Sequence, residues 1–127
     1  MPRRRHHGVS PYESAYGFSR ALRVGDTIYV AGTAPVPESG ENLAEEAYDQ
    51  MLRCGRIAQD AIESLGGSMA DVVRTRTFIV DVGDADDIGR AHKELFGGSE
   101  PAATMVVISA LLDPRWRVEI EVDAVIG

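Results

Sequence analysis

A chain of 127 residues has room for one folded domain with a core that needs no disulfide staples. Its formal net charge of −7 argues against general nucleic-acid binding, because that affinity comes from neutralising phosphates. No run approaches the ~18 apolar residues of a membrane span. The charged start lacks the apolar stretch of a secretory signal, and the lone Cys54 has no partner for an internal disulfide, so a cytoplasmic protein without a membrane partner is expected.

Residues 1–10, with Arg3-Arg4-Arg5-His6-His7, read as a flexible basic tail ahead of a domain spanning 11–127. Tyr12–Arg20 is aromatic and polar without a clear period. Phe18–Val24 and Thr27–Gly32 read as strands joined at Gly25-Asp26, since glycine reaches positive φ without steric strain. The prolines and glycines of Gly32–Gly40 mark a loop. A long helix is expected from Asn42 or Leu43 to about Leu65: Ala47, Met51, Cys54, Ile57, Ala58, Ala61, Ile62 and Leu65 recur at intervals of three and four. Glu41, Glu45 and Glu46 suit its positive end, and Gly66-Gly67 stops it.

Val72–Val80 alternates as a strand. Asp84–Phe96 is a second helix, with Ile88, Ala91, His92, Leu95 and Phe96 on one stripe, ended by Gly97-Gly98. Two apolar, β-branched stretches follow, Met105–Leu112 and Val118–Ile126, flanking a tight turn at Asp113-Pro114-Arg115-Trp116. The order β-β-α-β-α-β-β predicts an α+β fold, a single sheet with both helices on one face. Apolar residues on both faces of the strands, Val106 beside Val107 and Val122 with Val125, predict that the second face is buried by oligomerisation.

Four stretches resemble the RidA (YjgF/YER057c/UK114) family: Val24-Gly25-Asp26-Thr27-Ile28-Tyr29-Val30-Ala31-Gly32, Leu65-Gly66-Gly67-Ser68-Met69-Ala70-Asp71-Val72-Val73, Pro101-Ala102-Ala103-Thr104 and Val118-Glu119-Ile120-Glu121. The resemblance covers the chain from about residue 16. It implies a chorismate-mutase-like fold and a homotrimer whose sheets form an inner barrel, with ligand clefts between subunits. Well-characterised members hydrolyse 2-imino and enamine acids to 2-oxo acids and ammonia; older descriptions call the family endoribonucleases or translation inhibitors. The deaminase reaction needs an arginine after Pro-Ala that clamps the substrate carboxylate through a charge-assisted pair. Here that position is Ala103, which has no donor to offer. By the same alignment Phe18 stands for an aromatic hydroxyl, Ala31 for a hydroxyl before the hairpin glycine Gly32, and Gly89 for an asparagine of the second helix. The chain is therefore similar to the arginine-lacking members of the family.

Of the family's polar groups, Glu119 remains, and the resemblance implies a general-base role for it in placing the attacking water. Arg115 would supply the missing positive charge from another direction, with Trp116 as an apolar or stacking wall. Phe18, Ala31, Gly32, Gly89 and Ala103 complete the expected ligand cleft. Arg74 and Arg76 read as salt-bridge partners at the trimer interface, His92 as a satisfied core or interface group, and Cys54 as core. No metal-ligand spacing or phosphate-binding glycine loop occurs, so no cofactor is expected. The preferred reading is a RidA-like homotrimer that binds a small, weakly anionic organic metabolite in intersubunit clefts, with hydrolysis left open. The alternatives are an imine/enamine deaminase using Arg115, and a regulatory or RNA-related protein acting through its surface.

Overall fold

Each periodic stretch buries its apolar side in a common layer. The computed structural model, which describes residues 1–127, is a six-stranded mixed sheet with two long helices packed on one face. In chain order the elements are β1 (Arg3–His6), α1 (Pro11–Tyr16), β2 (Ala21–Val24), β3 (Thr27–Thr33), α2 (Ala47–Ser64), β4 (Val72–Ile79), α3 (Ala85–Phe96), β5 (Ala102–Val107) and β6 (Val118–Val125). The strands lie in the order β1-β2-β3-β6-β4-β5, and the fold is α+β. β3 and β4 both run antiparallel to β6, which lies between them. β5 runs parallel to β4 and is reached through α3, as a parallel pair requires.

The core follows the alternation. Val118, Ile120, Val122 and Ala124 of β6 are fully buried against Met51, Cys54, Ala58 and Ile62 of α2 and against Ile88 and Ala91 of α3. A Cβ added at Gly55 would come within 2.3 Å of Leu95 Cδ1, so α2 and α3 pack tightly there. The opposite face carries the residues that alternate outward. Phe78 stands across from Glu119, Arg76 from Glu121, Arg74 from Asp123, and Val106 from Phe78. Neither long helix covers this face, and Tyr29, Val106 and Val125 are exposed on it. Arg76 is engaged within the chain, 3.6 Å from both Glu121 and Asp123.

Five expectations are corrected. Arg3–His6 is not a free tail but an edge strand, with Arg3 opposite Val24 and Arg5 opposite Leu22. Strand pairing is a main-chain bond, so charged side chains pointing to solvent do not prevent it. The aperiodic stretch before the first hairpin contains α1. Ser10 accepts from the Tyr12 N–H, Pro11 takes the first turn, and Gly17 closes the helix at φ +80°. The following strand consequently begins at Ala21, not Phe18, and α2 begins at Ala47, later than its acidic approach suggested. Finally, β5 and β6 are not joined by a tight turn. β4 lies between them, and residues 108–117 form an irregular connection.

Candidate functional site

The site grows from an irregularity in the sheet. The β3–β6 ladder shifts by one residue between Val30 and Thr33, a bulge that takes Ala31 and Gly32 out of regular pairing. The freed backbone groups find other partners. The Ala31 N–H donates to the Arg20 carbonyl at 2.9 Å. Thr33 Oγ1 donates to the Ala31 carbonyl at 2.7 Å, and Arg20 Nη1 donates to the Gly32 carbonyl at 2.5 Å and to Thr33 Oγ1 at 3.0 Å.

Arg20 is only 4% exposed, and so is its partner Glu13 in α1. Arg20 Nε donates to Glu13 Oε2 at 3.3 Å, and Glu13 also accepts from the Gly8 N–H at 2.9 Å. A buried carboxylate thus ties α1 to the bulge. Opposite, Glu119 packs on Gly32 so closely that a Cβ there would lie 2.6 Å from Oε2. Glu119 is half-buried, and its carboxyl sits above the ordinary value of 4.5. Burial is the main cause, the Glu121 charge adds to it, and the Arg20 charge opposes it.

Around these groups lies a cavity of about 120 Å³. Its walls include Tyr12, Tyr16, Phe18 and Trp116, with Arg20, Gly32 and Glu119 among the lining. Tyr12 stacks on Tyr16 with ring centroids 5.4 Å apart and meets Trp116 edge-on at 6.4 Å. The Arg20 guanidinium lies 5.4 Å from the centre of the Phe18 ring. An apolar cavity of roughly 150 Å³ accepts benzene, so this one, somewhat smaller, has room for no more than a single small ring.

Of the expected site residues, Phe18, Gly32, Trp116 and Glu119 come together here. Ala31 sits in the bulge without lining the cavity. Gly89 and Ala103 lie elsewhere, in a shallow groove with Thr77, His92, Thr104 and Met105. Arg115 is exposed and does not line the cavity. Its guanidinium forks onto Asp113 at 3.1 and 2.7 Å, which holds the Asp113 carboxyl down at about 2. The positive charge in the cavity belongs instead to Arg20. Arg20, Glu13, Tyr12 and Tyr16 escaped the sequence reading; the signal was the Ser-Pro start of α1 and an opposite charge seven residues on. Cys54 is fully enclosed, and burial pushes its thiol up, away from reactivity.

The sequence profile described as Endoribonuclease L-PSP matches residues 9–126. The chain belongs to this family, the RidA or YjgF/UK114 family. Among its relatives is SCO2049 of Streptomyces coelicolor, 38% identical over 98% of this chain and 92% of that protein. The 2-iminobutanoate/2-iminopropanoate deaminase of Mus musculus is 34% identical over 87% of this chain and 82% of its own length. The crystal structure of Rv2704 from Mycobacterium tuberculosis, a member of the YjgF/YER057c/UK114 family, superposes with a TM-score of 0.90 at 34% identity. That superposition covers 98% of this chain and all of Rv2704. For a RidA-family chain, the positions at which the resemblance expects ligand contacts divide between two surfaces. One is the Glu119 cavity and the other the Gly89–Ala103 groove.

Proposed function

We propose that this chain is a RidA-like protein that binds a small organic molecule in the cavity at Glu119. It works as a homotrimer in which the Gly89–Ala103 groove of one copy faces the cavity of the next. The observation that carries the reading is Glu119 itself, a half-buried carboxylate packed on Gly32 in an aromatic-walled cavity of single-ring size. The division of the expected contacts between two surfaces of one chain supports a composite site. The uncovered sheet face with Tyr29, Val106 and Val125 supports assembly. Once ionised, Glu119 is a base able to take a proton from a water held over a bound imine or carbonyl.

The deaminase activity carried in the name of the mouse relative is a second reading for this chain. Ala103 offers no clamp and Arg115 is committed to Asp113, so such an activity would rest on Glu119 and on groups of the cavity. The chain has a single tryptophan, Trp116, and it lines the cavity, so its fluorescence reports on occupancy. Titration with candidate metabolites is expected to give a saturable change, and Glu119→Ala is expected to weaken the binding about tenfold or more. Unchanged affinity would remove Glu119 from the site. The second reading is checked by enzymatic release of a 2-oxo acid from an enamine, with the remaining imine trapped as a semicarbazone. A rate no higher than buffer eliminates it.

A further inference from the structure

Arg20 is the one arginine of the chain that is buried, and its hydrogen bonds leave part of it unused. A guanidinium carries five N–H donors. Nε serves Glu13 and Nη1 serves Gly32 and Thr33, but Nη2 makes no hydrogen bond within the protein. No side-chain nitrogen that is completely enclosed lacks a partner, so Nη2 retains access to open space. The space that Arg20 lines is the aromatic cavity. A charged donor pair held rigidly at three points, with its remaining N–H groups open, is a built binding group.

The charges then decide what fits. Arg20 is already matched by Glu13, each 4% exposed, so the pair is neutral as a unit. Glu119 adds a negative charge when ionised. A carboxylate entering the cavity meets two carboxylates and one guanidinium, whereas an ammonium group, itself only a donor, makes no hydrogen bond with Nη2. A neutral acceptor avoids both conflicts and still receives charge-assisted bonds from Nη2. The two polar groups also bracket the same residue: Arg20 Nη1 grips the Gly32 carbonyl, and Glu119 Oε2 lies against the Gly32 α-carbon. A ligand that carries both an acceptor and a donor can use the two groups together.

We infer that the cavity takes a neutral, planar carboxamide or enaminone, its carbonyl oxygen accepting from Arg20 and its N–H donating to Glu119. A ligand carboxylate is disfavoured by the two carboxylates of the lining. This rests on the reading of the cavity as a ligand site and names the class of ligand.

The test uses the full chain at pH 7, with Trp116 fluorescence and calorimetry as readouts. The probes are benzamide, acetophenone, benzoate, benzylamine and toluene. Benzamide is expected to bind at least tenfold more tightly than benzoate and benzylamine, with acetophenone between benzamide and toluene. The double variant Arg20→Met/Glu13→Gln, which strands no buried carboxylate, is expected to reduce benzamide binding to the level of toluene. The ligand series on the unmodified chain keeps the inference falsifiable if that variant does not fold. Benzoate binding as tightly as benzamide overturns it, and so does the absence of a saturable signal from any probe. If Glu119→Ala weakens benzamide but the Arg20 variant does not, the ligand class falls and the cavity reading stands. If neither variant changes binding, both fall.

Discussion

At the scale of single residues, Glu119, Arg20, Glu13 and the missing side chain of Gly32 shape the candidate site. Gly32 has no Cβ, so the Glu119 carboxylate packs directly on backbone. Arg20 holds the carbonyl on the other side of the same residue. Glu119 and Gly32 were legible in the sequence because both sit in family-like motifs on strands. Arg20 was not, because its meaning depends on Glu13, which only folding brings beside it. Glu119 also carries a stability consequence. Its folded carboxyl binds a proton more tightly than the ordinary Glu value of 4.5, mainly because burial disfavours the charge. Stability therefore rises as pH falls through the folded value, and above it the ionised carboxylate is a constant penalty. Glu119→Gln removes the penalty. The variant is expected to be more stable than the parent at pH 7, with the advantage fading as pH drops toward 4.5, measured by urea unfolding across pH.

At the scale of elements, the short pieces depart most from the sequence reading. α1 has six residues, too few to display a helical period, and is set by its Ser10 cap, Pro11 and Gly17. Its buried Glu13 makes it one wall of the cavity. The long helices and the strands β3, β4 and β6 were legible because their apolar residues repeat over many turns or alternations. Between α3 and β4 the reading of His92 as a satisfied packing group agrees with its contact: Nε2 lies 2.7 Å from the buried Thr75 Oγ1. Burial lowers the His92 pKa below the ordinary 6.5. As pH falls through 6.5 the unfolded chain takes up this proton and the folded chain does not, so stability is lost from there down to the folded value. His92→Gln is expected to flatten this loss. The check is the difference in urea-unfolding free energy between parent and variant from pH 8 to 5.

At the scale of the whole molecule, the sheet has one face in the helical core and one uncovered, with Val106, Val125 and Tyr29 exposed. The proposed homotrimer covers it. Sedimentation is expected to give three times the 13.7 kDa chain mass. Val106→Asp, on the uncovered face opposite Phe78, is expected to shift the population to monomer and to weaken ligand binding in parallel, because the proposed composite site needs a neighbour. A monomeric mass for the parent protein removes the composite site. β1 adds a second whole-molecule feature. Three exposed arginines line the outer strand of the sheet, where like charges discourage further strand pairing.

The sequence by itself determined the fold class and the family, because periodicity and motif order are local, one-dimensional signals. Only the tertiary structure decided which strands are neighbours, that Arg3–His6 joins the sheet, and that the charge in the cavity belongs to Arg20 and not to Arg115. Main-chain pairing is blind to side-chain pattern, and a buried ion pair is defined by distance in space. Neither leaves a period along the chain.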